Sequence, residues 1–196
     1  TVTAIGGNAF TGSQVTEVTY NTALDVPEGC FKNCVKLETV VLADTVESIG
    51  ANAFEGCSAL SEIEFPESLT QIGTSAFLGC ISLKRVNLPE GYTSFTGTEF
   101  AGAGIEEFEL PDYLTEIGEN MFSGWVYLKS MDIPEGITKI GNGAFQGCKS
   151  LESVKIPSTV THIGRKYDAD RGEYEYAYNQ TGCMVFGNCT SLKEID

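Results

Sequence analysis

The chain has 196 residues, with 27 Asp and Glu against 12 Lys and Arg, one His and a formal net charge of -15. A hydrophobic share of 42% beside 20% charged residues is too apolar for a disordered chain, and the apolar residues are too interrupted for a membrane span. A sequence pI near 4.4 with no basic run disfavours both nucleic acid and anionic membranes as partners.

Internal repetition organises the chain. Phe recurs as Phe10, Phe31, Phe54, Phe77, Phe100, Phe122, Phe145 and Phe186, at spacings of 21, 23, 23, 23, 22, 23 and 41. The last is a 23-residue unit carrying 18 extra residues, so residues 1–196 form a single repeat domain of about eight units of about 23 residues. Thr1 to Gly6 reads as the second-strand part of a unit, and the chain stops inside a first strand at Asp196. With no polar cap at either end, the chain is expected to be a fragment of a longer protein or to cover its ends by stacking on another copy.

Within a unit, each recurrent residue type has a physical reason. Alternation in Leu83-Lys84-Arg85-Val86-Asn87-Leu88-Pro89 predicts a strand with one buried face, closed by a proline that lacks a donor. A second short apolar pair follows, as in Leu69 and Ile72 before Gly73, and predicts a second strand and a bend. A helical or 3₁₀ turn is then expected around Ala-Phe. Two residues after each Phe stands Gly12, Asn33, Gly56, Gly79, Gly102, Gly124, Gly147 or Asn188, the two residue types that enter positive φ most readily. One unit alone buries too little to offset its conformational entropy, so the units must stack as a solenoid with parallel strands about 4.8 Å apart.

The outward positions of the first strands come in chain order as Glu17 and Thr19, Thr39 and Val41, Glu62 and Glu64, Arg85 and Asn87, Glu107 and Glu109, Ser130 and Asp132, Ser153 and Lys155, Glu194 and Asp196. Eight of these sixteen are acidic and two are basic. Arg85 is expected between Glu62 or Glu64 on one side and Glu107 or Glu109 on the other. The strip is read either as an acidic face for a basic partner, with weak Ca²⁺ affinity, or as a solvated face that keeps the sheet soluble.

An insertion, 165–184, interrupts the last unit and holds Tyr167, Tyr174, Tyr176 and Tyr178, half of the eight tyrosines. Tyr supplies contact area at low entropic cost, so this segment is the second candidate binding surface; a flap packed on the solenoid and a disordered loop are the alternatives. Residues Tyr174 to Tyr178 alternate as a hairpin strand would.

Five of seven cysteines, Cys34, Cys57, Cys80, Cys148 and Cys189, lie three residues after a Phe, and Trp125 takes that slot once. The slot reads as apolar core holding free thiols. Parallel side chains in a stack make a Cys57–Cys80 bridge geometrically difficult, and Cys30 and Cys183 form no recognisable ligand set for a metal. His162, the single histidine, occupies an exposed repeat position, so a Ser–His or Cys–His pair has one residue to draw on. No phosphate loop is present, and the chain is not expected to be an enzyme or to hold a cofactor or metal.

The pattern C-x-S-L-x-x-V-x-L-P-x-x-V-x-x-I-G-x-x-A-F-x-G-C, shown by Cys57 through Cys80 and by Cys148 through Gly164, resembles the BspA-type leucine-rich repeats also described from treponemal surface proteins. The resemblance implies a leucine-rich-repeat solenoid of the α/β repeat class: a right-handed superhelix with a parallel β-sheet on its concave face, short second strands, and helical or 3₁₀ turns elsewhere. It also implies an extracellular or cell-surface module for protein binding or adhesion, contacting host or matrix proteins without catalysis; a passive spacer carrying other domains is the alternative. The expected partner-binding residues are Glu62, Glu64, Arg85, Glu107, Glu109 and Asp132 on the strip, and Tyr167, Tyr174, Tyr176 and Tyr178 in the insertion. The first unit, ending in Ser13, the unit with Gly104 and Ile105, the Trp125 position and the split last unit depart from the pattern.

Overall fold

The structure, a computed structural model, describes residues 3–164, 167–168, 173–174 and 184–196. In chain order its strands are β1 (Glu17–Tyr20), β2 (Thr39–Leu42), β3 (Ser48–Ile49), β4 (Glu62–Glu64), β5 (Gln71–Ile72), β6 (Glu116–Ile117), β7 (Ser130–Asp132), β8 (Lys139–Ile140), β9 (Ser153–Lys155), β10 (His162–Ile163), β11 (Tyr167–Asp168), β12 (Glu173–Tyr174) and β13 (Glu194–Ile195).

Corresponding strands of successive units pair in parallel, which makes the chain a repeat solenoid. First strands form the sheets β1-β2-β4 and β7-β9-β13; second strands form β3-β5 and β6-β8-β10. The register follows the repeat residue for residue: Val40 lies between Val18 and Ile63, while Thr39 lies between Glu17 and Glu62. Alternation therefore does what its period requires, with Ile63 buried between exposed Glu62 and Glu64, and Met131 buried between exposed Ser130 and Asp132.

The core is the Phe column. Phe54, Phe77, Phe100, Phe122 and Phe145 are fully buried. Rings of neighbouring units stack nearly face to face, 5.3 Å apart for Phe54 and Phe77, for Phe122 and Phe145, and for Phe145 and Phe186. This offset stacking adds to the large area each ring removes from water.

The turn carrying each Phe is tighter than a helix. All eight Gly or Asn residues two positions after Phe have positive φ, from 59° at Asn33 to 78° at Gly79. A second positive-φ position, two residues before Phe, holds Asn8, Gly29, Asn52, Ser75, Asn120 and Gly143. Left-handed residues on both sides confine the right-handed stretch to about one turn, so isolated i→i+3 bonds form there, such as Glu55 N–H to Asn52 O at 3.1 Å and Cys57 N–H to Phe54 O at 3.1 Å. Among the described residues no helix forms where helical or 3₁₀ turns were expected. Between units the turns are laddered, as in Phe54 N–H to Ala76 O at 2.8 Å and Phe122 N–H to Ala144 O at 2.8 Å.

The unit of Phe100 departs from this regularity. Its residues 84–88 and 92–95 carry no assigned strand, nor do residues 106–110 of the next unit, and both strand columns divide in two there. Glu99 stands in the slot that holds Ala53, Ala76 and Ala144 elsewhere, and is 1% exposed. The Tyr92 hydroxyl donates to Glu99 Oε1 at 3.0 Å, and the Thr96 N–H donates to the same oxygen at 2.9 Å. Burial first, and then the neighbouring Glu99, push the Tyr92 hydroxyl to a higher pKa. A left-handed residue occurs here at Gly97, one position earlier than in the other units.

Candidate functional site

Parallel register turns the outward residues of the first strands into two columns. One runs Glu17, Thr39, Glu62 and resumes as Ser130, Ser153, Glu194; the other runs Thr19, Val41, Glu64 and resumes as Asp132, Lys155. Glu62, Glu64, Arg85, Glu107, Glu109 and Asp132 are all exposed. Arg85 Nη2 lies 2.5 Å from Glu107 Oε2, so the expected cation between carboxylates is tied to one side only. Among the described residues, no Lys or Arg pairs with Glu62, Glu64, Glu109 or Asp132.

A third column, one residue before the first of these, alternates in sign. The Glu106 carboxylate is shared by Lys129 and by Lys84 at 3.1 Å, and Lys193 pairs with Glu152 at 2.8 Å. The two ammonium groups, Lys129 foremost, hold the Glu106 carboxyl below the usual carboxylate range, and Lys193 does the same for Glu152. Lys84 also lies 5.3 Å from the centre of the Tyr127 ring. The alternating column neutralises its own charge. At the middle of the strip, around the Arg85–Glu107 pair, the net negative charge is carried by Glu62, Glu64, Glu109 and Asp132.

In the insertion, β11 and β12 form an antiparallel pair that sets Tyr167 opposite Tyr174 and Asp168 opposite Glu173. Of the expected Tyr174 to Tyr178 strand, Tyr174 falls in β12 and residues 175–178 lie outside the described residues. Tyr176, Tyr178 and Cys183 lie outside the described residues.

The cysteine slot holds free, buried thiols at Cys34, Cys57, Cys80 and Cys148, with Cys189 partly buried. Sequence reasoning treated the slot as merely apolar. Each thiol in it donates to the Phe carbonyl of the preceding unit: Cys57 to Phe31 O, Cys80 to Phe54 O and Cys148 to Phe122 O at 3.1 Å, and Cys189 to Phe145 O at 3.0 Å. Trp125, in the same slot, also donates, through Nε1 to Gly97 O at 3.0 Å. Burial pushes Cys57 and Cys148 up to about 12 and Cys30 up to about 11, far from nucleophilic chemistry at neutral pH. His162, in register with exposed Lys139, is partly buried rather than exposed, with Nδ1 2.8 Å from Thr161 Oγ1. Among the described residues no group of three or more His, Cys, Asp or Glu is placed to hold a metal ion. No helix among them is long and apolar enough to cross a membrane.

The buried Glu99 and Tyr92 escaped sequence reasoning. The signal was a carboxylate directly before Phe100, where the neighbouring units have Ala76 and Met121.

A family model described as the BspA type leucine rich repeat region, in six copies, matches residues 1–103 and 93–168. A solved leucine-rich repeat protein from Bacteroides ovatus is 26% identical, with a TM-score of 0.58, over 97% of this chain and 57% of its own. A T. pallidum leucine rich repeat protein is 26% identical with a TM-score of 0.47, over 93% of this chain and 70% of its own. A leucine rich cell surface protein from Faecalibacterium prausnitzii is 27% identical with a TM-score of 0.43, over 93% and 59%. This chain thus spans little more than half the length of two of the three. No curated protein matches it.

Proposed function

The chain belongs to the BspA-type leucine-rich-repeat family, and on that premise we propose that it is a non-catalytic, extracellular protein-binding module that presents the first-strand face, taken as the concave side of a right-handed superhelix, to a basic partner such as a matrix protein. The carrying observation is the arrangement of charge on that face. Glu62 and Glu64 on β4 flank the Arg85–Glu107 pair on one side and Glu109 and, on β7, Asp132 extend it on the other; Arg85, Glu107 and Glu109 lie on segments without an assigned strand, held by the buried alternate residues Val86 and Phe108. A preorganised row of this kind loses little entropy on binding and attracts positive charge, which raises association rates more than it raises affinity. The Tyr167 and Tyr174 pair lies in the other candidate surface, the insertion.

The reading is tested by binding to a panel of matrix proteins at low and high salt. Reversal of Glu62, Glu64 and Glu109 to Lys is expected to abolish the salt-sensitive binding, with circular dichroism unchanged. Binding that survives the reversal but is lost when Tyr167 and Tyr174 are replaced by Ser would move the site to the insertion. Absence of any binding across the panel would favour the alternative of a passive spacer.

A further inference from the structure

Elsewhere in the array, neighbouring units are joined by contacts that any two units can make. The Gly N–H after each second strand donates to the unit before it, as in Gly73 to Ile49 O at 2.8 Å and Gly141 to Ile117 O at 2.8 Å. The Phe N–H donates to the unit after it, as in Phe77 to Glu99 O at 3.0 Å and Phe145 to Val185 O at 2.8 Å. Neither series has a member between the units of Phe100 and Phe122: Gly118 and Phe100 make no such bond.

At that junction the first-strand segments keep one main-chain bond, Glu106 N–H to Lys84 O at 3.1 Å, and side chains make the contacts on the side of the second strand and the Phe turn. The Phe95 N–H donates to the Tyr113 hydroxyl at 2.9 Å, and the Trp125 indole N–H donates to Gly97 O at 3.0 Å. On the other side of this unit, the Thr96 N–H, whose counterpart Gly73 donates to the unit before it, is satisfied inside its own unit by Glu99 Oε1 at 2.9 Å, so the Gly series is also interrupted towards the unit of Phe77. The Phe column is also bridged: Trp125 lies 6.2 Å from Phe100 and 5.1 Å from both Phe108 and Phe122. The seat is fitted to these two units, because Gly97 has φ 83° and a Cβ there would collide with the main-chain oxygen of Met121.

We propose that this junction is a registration joint: Trp125 and Tyr113 fit only against the shifted turn of Gly97, so the unit of Phe122 cannot stack stably on any unit but that of Phe100. In an array of near-identical units, main-chain ladders and Phe stacks are degenerate, and a chain can stack two units with the one between them looped out. A unit-specific polar and aromatic contact penalises that error, since in the wrong stack the indole loses the seat shaped by Gly97 and the Tyr113 hydroxyl loses the Phe95 N–H that donates to it. Stacked on the unit of Phe77, Trp125 would meet Thr74 in the place of Gly97.

The experiment refolds the full chain from urea and follows it by hydrogen exchange with mass spectrometry. The double variant Trp125→Cys, Tyr113→Ser installs the residues that other units hold in these slots, such as Cys148 and Ser68. It is expected to give a second isotopic envelope in which residues 81–103 lose protection while 104–125 keep it; the parent chain gives one envelope with both protected. A single, fully protected envelope from the double variant overturns the proposal. So does failure to refold, which would make the joint an element of stability and not of register. Trp125→Phe keeps a ring in the seat and is expected to refold to one envelope at a lower midpoint; two envelopes from it would show that lost stability alone causes mis-stacking, and would also overturn the proposal.

Discussion

The Cys57 thiol and the Phe31 carbonyl, 26 residues apart in sequence, meet at 3.1 Å in the core, and the same bond recurs along the array. The slot suits a small apolar side chain with a donor: Cys fills it in five units and Trp125, whose ring also carries an N–H, in one, while Ser13 and Ala103 stand there in the other two. Desolvation leaves these thiols protonated over the whole range in which alkylating reagents are used. On the native chain at pH 8, iodoacetamide is expected to leave Cys57, Cys80 and Cys148 unmodified and to label Cys189 first among the described cysteines. Peptide mapping before and after urea checks this; labelling of Cys80 in the native state would contradict it.

The Phe column predicts a steep positional contrast. Phe77, fully buried between two stacked rings, should lose about 3–5 kcal/mol on replacement by Ala. Phe10, 45% exposed with one stacked neighbour, should lose no more than about 1–2 kcal/mol. Urea denaturation of the two variants decides it, and equal midpoints would count against a shared ring spine.

Ser75 occupies the left-handed position that Asn8, Asn52 and Asn120 fill in other units, at φ 57°. Asn tolerates that region better than Ser does, because its short amide bonds locally with the main chain. Ser75→Asn should raise Tm by roughly 2–4 °C, corresponding to about 1 kcal/mol for a domain of this size. Differential scanning calorimetry reads the shift, and a fall in Tm would show that the Ser hydroxyl contributes something the turn geometry does not reveal.

The Glu106 carboxyl is depressed by Lys129 and Lys84. A group whose folded pKa lies below its unfolded value contributes stability above the unfolded value, about 4.3 for Glu, and loses it as the pH falls through the folded value. Glu106→Gln is therefore expected to lower Tm slightly at pH 7, with the difference from the parent vanishing at strongly acidic pH and shrinking in 1 M NaCl, since both lysines are exposed and Glu106 is partly so. A gap that persisted at low pH would assign the effect to lost packing.

Much of this architecture could be read from residue spacing, for reasons that differ by element. The eight Gly or Asn residues after Phe were legible because positive φ selects residue type directly. The second left-handed column was not, because Ser75 interrupts the Gly and Asn pattern two residues before Phe. Two such residues per turn also explain why the expected helical turns are replaced by isolated turns. The exposed strip was legible from alternation, whereas the pairing of Arg85 with Glu107 in preference to Glu62 depends on side-chain reach across the irregular unit. That irregularity was hidden because Tyr92 and Phe95 preserve the apolar pattern while Glu99 and Gly97 redirect the chain.

The stack of Phe145 on Phe186, at 5.3 Å and 8°, matches that of Phe122 on Phe145 although 18 more residues separate the first pair. The corner between second strand and Phe turn is thus a permissive port: foreign segments could be grafted there, at the equivalent corner of any regular unit, without disturbing the spine. An array with that property can diversify what it displays one loop at a time while its scaffold stays constant.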